Sequence, residues 1–233
     1  MESQARGWLL DLYEDEQDGV RLWFILDDHS RICLHWPLPV TFYVFGPPER
    51  LHAVCLAVRG AAGLIRQSRA EKTDVFKPEP LSVLRLEMDN PVRQRRLFQQ
   101  LKQKFPDLIY YDADLGVHIH HAAKHGTFPM ALCDLRYDAE TGELFNLAVR
   151  NERWDIFPLE PPLRVLSIRP DCDPKKKDPV ALIFEQAGHG QVLRMREPDR
   201  LMERLNTLIR KTDPDLILTE WGDDWLFPLL HPD

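Results

Sequence analysis

The stretch "DPDLILTEWGDDWLFPLL", residues 213–230, decides the fold. Its segment "DLILTE" (215–220) is an apolar run between acidic residues, which predicts a strand, and the apolar residues after the Gly-Asp-Asp turn predict a short helix. This order places acidic side chains at the end of a strand, where α/β proteins commonly bind their ligands.

A second stretch, "PPLRVLSIRPDCDP" at 161–174, has a similar form. The run from Leu163 to Ile168 reads as an apolar strand, and the strand runs into a charged cluster of Arg169, Asp171 and Asp173. An arginine stands where such a strand usually delivers its first acid. We therefore treat the ends of these two strands as the candidate site.

The composition is that of an ordinary globular protein. The 233 residues are 44% hydrophobic and 29% charged, enough for one large domain or two small ones. The net charge of −7 argues against a free-standing nonspecific nucleic-acid binder, because phosphate binding draws on Lys and Arg. The four cysteines form no Cys-x-x-Cys pair, and the sequence has neither a long apolar run nor a signal peptide. We expect a cytoplasmic protein without a membrane span.

Residues 1–158 predict a mixed β domain. A three-stranded meander opens it, and the segments that follow alternate in the order β-α-β-α-β. The second helix has the clearest signals, with Asn90 as N-cap and Pro91 at the first helical position. This order is compatible with a ferredoxin-like or RNA-recognition-like module.

A Pro-rich connector at 154–162 predicts a domain boundary, which we place after residue 158. Residues 159–233 then predict three antiparallel strands, a helix from about 197 to 211, a fourth strand and a short helix. The expected fold class is α+β, with a mixed β/ferredoxin-like (RNA-recognition-like) domain followed by a truncated ribonuclease-H-like exonuclease domain.

The two quoted stretches resemble the exonuclease motifs of family B DNA polymerases. The family's second motif reads roughly "DPDIIVTYNGDNFDFPYL", and the matching positions are Asp213, Pro214, Asp215, Thr219, Gly222, Asp223, Phe227, Pro228 and Leu230. The first motif, roughly "LKVLSFDIET", is similar to the strand at 163–167. More loosely, "YYDADL" at 110–115 and the opening "GWLLDLYEDE" are similar to the N-terminal domain of the bacterial DNA polymerase II type.

The resemblance implies a 3′–5′ exonuclease site in which carboxylates hold two divalent ions. Here Arg169 stands at the first Asp position and Asp171 at the Glu, while Trp221 and Leu226 replace the Asn and Asp of the second motif. An arginine about 4 Å from a cation repels it by roughly 4 kcal/mol per unit of cation charge at an effective dielectric of about 20. Leucine offers no oxygen ligand. We predict an inactive exonuclease site.

The remaining acids admit two interpretations. Asp171, Asp173, Asp223 and Asp224 form either a shifted metal site or a set of solvated turn and cap carboxylates. We expect Arg169 to pair with at least one of them, because a guanidinium can hold a carboxylate bidentately, and we expect apolar side chains to close the pocket.

Two basic clusters are candidate nucleic-acid contacts, one in a loop and one at a helix start. They are Lys175, Lys176 and Lys177, and Arg93, Arg95 and Arg96. A short charged run is also typical of a solvated surface, so both interpretations stay open.

A histidine cluster lies in the predicted helix "HIHHAAKH". Its members are His118, His120, His121 and His125, and three of them share one helical face. The pattern is typical of an exposed helix face, but it also allows a surface that meets nucleic acid or a partner, or a metal-binding pair at i and i+4.

Together with the resemblance, the sequence is identified as the non-catalytic N-terminal portion of a family B DNA polymerase, serving as scaffold and as contact with template DNA or a partner. We expect no cofactor for this chain, and Mg²⁺ only for the polymerase domain of a full-length protein. The expected partners are DNA, bound weakly, and a polymerase palm domain on the same or a separate chain. The alternatives are a metal-dependent 3′–5′ exonuclease using shifted carboxylates and a separate regulatory polymerase subunit.

Overall fold

The computed structural model describes residues 1–17, 19–195 and 198–230, and the chain divides into two compact units, Met1–Pro161 and Pro162–Asp233. Strands outnumber helices in this described part, which confirms the α+β class. The division falls inside the Pro-rich connector. None of the described helices is long and apolar enough to cross a membrane.

The first unit is built from two sheets and three helices, as far as the described residues show. In chain order its elements are β1 (Glu2–Asp15), β2 (Gly19–Leu26), β3 (Arg31–Trp36), β4 (Val40–Phe45), α1 (Pro48–Ala57), β5 (Leu64–Asp74), β6 (Lys77–Met88), α2 (Pro91–Lys104), β7 (Ile109–Tyr111), α3 (Val117–His125), β8 (Leu132–Asp138) and β9 (Leu144–Val149).

The sheet that contains the predicted meander has five strands in the order β3-β2-β1-β8-β9, and all its pairs are antiparallel. The other sheet has the order β5-β6-β4-β7, with α1 and α2 as connections. Strand β5 is absent from the predicted order β-α-β-α-β, which is wrong in this respect. The strand lies at the sheet edge and keeps most of its side chains in solvent, so it lacks the alternating apolar residues that mark a strand in sequence.

The core of the first unit lies between these elements. Phe24, Phe42 and Leu22 are fully buried in it, and Leu97 and Leu101 add the apolar side of α2. The predicted N-cap of α2 is confirmed, since Asn90 Oδ1 accepts a hydrogen bond from the Val92 amide at 2.8 Å. The same side chain donates to the Asp15 carbonyl at 2.8 Å. The cap therefore also fastens the helix to the end of β1.

The second unit consists of one sheet with helices along it. Its elements are β10 (Val165–Pro170), β11 (Ala181–Gln186), β12 (His189–Arg194), α4 (Pro198–Thr212), β13 (Leu216–Thr219), a single π-helical turn (Gly222–Leu226) and α5 (Phe227–Leu230). The strand order is β12-β11-β10-β13, with β13 parallel to β10 and the other pairs antiparallel. Residue 197, the predicted start of α4, lies outside the described residues.

The core of the second unit forms between α4 and one face of this sheet. Leu201 and Leu205 of α4 pack with Leu166, Leu182 and Phe184 of the strands. Burial of such side chains contributes about 1.5–3 kcal/mol each, so this one layer of contacts holds the sheet that carries the candidate site.

Candidate functional site

The two stretches that decide the fold lie side by side. Strand β13 pairs with β10 in parallel, with Val165 opposite Leu216 and Ile168 opposite Thr219. The carboxyl ends of parallel strands meet at the same edge of a sheet. Residues 169–173 and 220–224 therefore converge at one end of the second unit.

At the opposite end, the acids of the "DPD" segment are structural. Asp215, whose side chain is fully buried, accepts a hydrogen bond from the Arg164 amide at 2.6 Å and one from its Nε at 3.3 Å. Asp213 accepts from Arg164 Nη1 at 2.9 Å. Arg164 was not a predicted site residue. Its role is to join the starts of β10 and β13.

Arg169 does not pair with an acid. Within the described part of the chain its guanidinium makes no ion pair, so the predicted contact with Asp171, Asp173, Asp223 or Asp224 is wrong. The reason lies in the backbone, because Arg169 sits in the strand proper, opposite Ile183, and each of these acids except Asp223 has another partner.

Asp171 closes the hairpin between β10 and β11. Its Oδ1 accepts hydrogen bonds from the Val180 amide at 3.0 Å and the Ala181 amide at 3.2 Å, and its own amide donates to the Ala181 carbonyl at 3.0 Å. The carboxylate at the Glu position of the first motif thus serves the backbone.

We expect Asp171→Ala to destabilise the second unit by about 1–2 kcal/mol, because two backbone amides lose their acceptor. Asp171→Asn keeps an acceptor oxygen at the same place and should retain most of the stability. Urea unfolding followed by circular dichroism measures both. Equal loss in the two variants would show that the negative charge, and not the hydrogen bonds, matters.

Lys175 joins the two motif-like segments. Its ammonium lies over the Trp221 ring, 4.7 Å from the ring centroid, and 3.8 Å from Asp224 Oδ2. Asp173 accepts from the Lys175 amide at 2.9 Å, which fixes the turn that presents this lysine, and lies 3.7 Å from Lys176 Nζ. A lysine cation, contributed by the loop after β10, therefore accompanies the acids at this edge. The tryptophan at the motif's Asn position carries it.

Leu226 lies in the core of the second unit and is only 2% exposed. Its amide bonds to the Trp221 carbonyl at 2.9 Å across the π-helical turn, which begins after a left-handed Trp221 (φ 60°). The prediction that apolar side chains occupy this region is confirmed for Leu226. Trp221 is half-buried.

The residues at this edge do not fit a divalent ion. In the described ranges no three His, Cys, Asp or Glu side chains are grouped so as to hold a metal. Asp171 is committed to backbone amides and Asp224 to Lys175. We therefore derive no metal-dependent step for this site.

The arginines of α2 are engaged within the first unit. Arg93 pairs with Asp89, Arg95 with Glu14 and Arg96 with Glu16. The Arg96 contact lowers the pKa of Glu16, through the hydrogen bond and the nearby charge. The Arg95 and Arg96 pairs tie α2 to the end of β1, and a phosphate would have to compete for each of the three guanidinium groups.

The histidine cluster is not an exposed face. His121 is fully buried, with Nδ1 2.6 Å from Thr127 Oγ1, and its ring lies between Trp36 and His125, at centroid distances of 5.7 and 4.7 Å. Burial lowers the pKa of His121 to about 4, and also lowers that of His125. The exposed-face interpretation is wrong for His121, although His118 does face solvent.

Comparison with known proteins gives a structural match without a sequence match. No family model matches the chain, and no curated protein matches it. Among 92 matching chains of known structure is the family B DNA polymerase from the hyperthermophilic archaeon Pyrobaculum calidifontis, with a TM-score of 0.68 and 22% identity. The match covers 97% of this chain and 31% of that polymerase chain. The likeness establishes a shared fold.

Proposed function

We propose that this chain is the N-terminal portion of a family B DNA polymerase of the bacterial DNA polymerase II type, acting in the cytoplasm as scaffold and as contact with template DNA or a partner. The proposal is supported by the fold shared with the archaeal polymerase and by the motif-like stretches on the paired strands β10 and β13. The chain spans only 31% of the matched polymerase, so polymerisation belongs to the proposal. A palm domain on the same or a separate chain would supply it together with its Mg²⁺.

The connectivity supports a finer assignment of the two units. In the first, β4-α1-β5-β6-α2-β7 with strand order β5-β6-β4-β7 has the β-α-β-β-α-β form of ferredoxin-like modules. In the second, three antiparallel strands, a helix and a parallel fourth strand have the order of a ribonuclease-H-like opening. We assign these folds to the predicted domains 1–158 and 159–233.

We also propose that the exonuclease site is inactive, and the observation that carries this is the burial of Leu226. A side chain that packs with Leu166 and Ile168 in the core points away from any ligand site, and it offers no oxygen. The shifted-carboxylate nuclease is disfavoured because Asp171 and Asp224 have other partners. No contact among the described residues favours a separate regulatory subunit over the polymerase portion.

The nuclease test uses single-stranded DNA labelled near its 5′ end, with Mg²⁺ or Mn²⁺. We expect no shortening from the 3′ end, since the residues at the edge do not converge on a metal. Shortening that depends on the metal and disappears in Asp171→Asn would contradict the proposal, because that variant keeps the hairpin hydrogen bond but weakens a metal ligand.

Weak DNA binding through the lysine loop is the second expectation. Lys176 and Lys177 are exposed, whereas Lys175 lies over Trp221. Replacing all three lysines with Ala should lower the affinity for primer-template DNA and reduce the slope of log affinity against log salt by about 0.9 for each duplex phosphate that the protein no longer touches. Fluorescence anisotropy over a salt series measures this. The matched control is Lys102→Ala with Lys104→Ala on α2, and an equal effect there would indicate only a change in net charge.

A further inference from the structure

The connector, residues 152–160, presents a run of apolar side chains to solvent. Trp154, Ile156, Phe157 and Leu159 are 84%, 82%, 85% and 69% exposed. Exposed apolar residues that stand singly are normal, but a contiguous group of large ones marks an interaction surface.

This exposure is held in place by hydrogen bonds. The Asp155 amide donates to the Glu152 carbonyl at 3.1 Å, and Asp155 Oδ1 accepts from the Phe157 amide at 2.9 Å. At the far end, Trp8 Nε1 donates to the Leu159 carbonyl at 3.1 Å. The backbone is thus tied at both ends while the apolar side chains remain uncovered, which lowers the entropy lost when they bind.

The connector is acidic. Glu152, Asp155 and Glu160 flank the apolar side chains, against a single base, Arg153. A partner surface should therefore combine an apolar floor with a basic rim.

The second unit offers such a surface between α4 and the β11–β12 hairpin. Two adjoining hollows of about 680 and 630 Å³ share Phe184, Leu208 and Lys211 in their walls. The apolar floor includes Phe184 and Leu193, and Arg204 and Lys211 stand on the rim beside one acid, Glu203. Neither of these two cations forms an ion pair with a described residue. We call these hollows the α4 groove.

We infer that the connector of one copy of this chain binds the α4 groove of a second copy. The apolar side chains would cover the groove floor, and the acidic flanks would meet Arg204 and Lys211. Since both complementary surfaces belong to the same chain, no other protein is needed to supply either. This inference does not depend on the proposed polymerase function.

The size of the contact determines the form of the assembly. Each aromatic side chain buries roughly 150–250 Å², so one connector with its groove falls short of the roughly 1,600 Å² buried in a typical stable interface. Two reciprocal contacts reach that range. Reciprocal contacts also close a twofold dimer, whereas one-way contacts give open chains.

Analytical ultracentrifugation over a wide range of protein concentration tests the inference. We expect a monomer–dimer equilibrium whose dissociation constant rises by about a thousandfold in the double variant Trp154→Ser with Phe157→Ser, because two central aromatic anchors are removed. The control is Val75→Ser with Phe76→Ser at the tip of the β5–β6 hairpin, where these side chains are 94% and 92% exposed. That variant removes similar apolar area and should dimerise normally.

A charge exchange identifies the groove. Lys211→Glu and Asp155→Lys should each weaken the dimer, and the two together should restore part of the affinity. A labelled peptide of residues 152–160 should bind the Trp154→Ser, Phe157→Ser chain but not its Lys211→Glu derivative. A monomer at all concentrations, a dimer unaffected by the connector variant, or a dimer abolished in the hairpin-tip control would each overturn the inference. Peptide binding by a chain that stays monomeric would also overturn it and would point to a different protein as the partner.

Discussion

Leu226→Asp should unfold the second unit rather than rebuild a metal site. The substitution restores the family's acid at its motif position, but the side chain is 2% exposed and packs among Leu166, Ile168 and other core residues. An ionised carboxylate at that position would have no partner and would leave the leucine contacts unmade, at a cost of about 4 kcal/mol or more. Limited proteolysis and circular dichroism measure the loss of structure.

The matched control for this substitution lies a few residues away on α5. Leu229 is 40% exposed, so Leu229→Asp should change the stability by no more than about 0.5 kcal/mol. Retained stability of Leu226→Asp, together with stabilisation by Mg²⁺, would show that the site can still accept an ion. In that case the inactive-exonuclease proposal would fail.

Acid should weaken the first unit through His121. Burial, with smaller contributions from His125 and Lys124, lowers its pKa from 6.5 to about 4. A histidine whose pKa is lower in the folded state binds fewer protons there than in the unfolded chain. Its stabilising effect is therefore complete above pH 6.5 and is lost as the pH falls towards 4, by about 3 kcal/mol in all.

The contacts around His121 explain why its protonated form is costly. Its Nε2 is buried and has no hydrogen-bond partner among the described residues, and the same is true of His125 Nε2. A proton on either ring would place a charge beside Trp36 without an acceptor.

Stability measured by urea unfolding between pH 4 and 7 separates this effect from that of the carboxylates. His121→Gln does not titrate, so its stability should fall less steeply below about pH 6.5 than that of the unaltered chain. His118→Gln, at an exposed position on the same helix, should follow the unaltered chain. Parallel curves for all three proteins would remove His121 as the cause.

The sequence predicted elements whose signals are local. Asn90 and Pro91 marked the start of α2 because a cap is a property of adjacent residues, and the apolar runs marked β10 and β13. Strand β5 was missed because it lies at an edge and pairs with β6 through backbone groups, which leave little trace in its polar side chains.

At the candidate site, residue types were easier to predict than contacts. The sequence showed that Arg169 and Leu226 replace acids, but it suggested Arg169 as the cation that meets them, whereas Lys175 occupies that role. Lys175 reaches Trp221 and Asp224 only because a turn after β10 brings residues far apart in sequence together. His121 was misassigned for a similar reason, since a helical pattern does not tell which side of α3 meets Trp36.

The pairing of β13 with β10 also sets an order of folding events. Strands β10, β11 and β12 are joined antiparallel neighbours, so they can assemble from nearby chain segments. The Arg164–Asp215 contact that fastens β13 spans 51 positions, and such distant contacts form slowly because chain entropy is lost before they form. We expect β13 and the π-helical turn to attach last during folding and to detach first during partial opening, so that this edge is the least protected against amide hydrogen exchange.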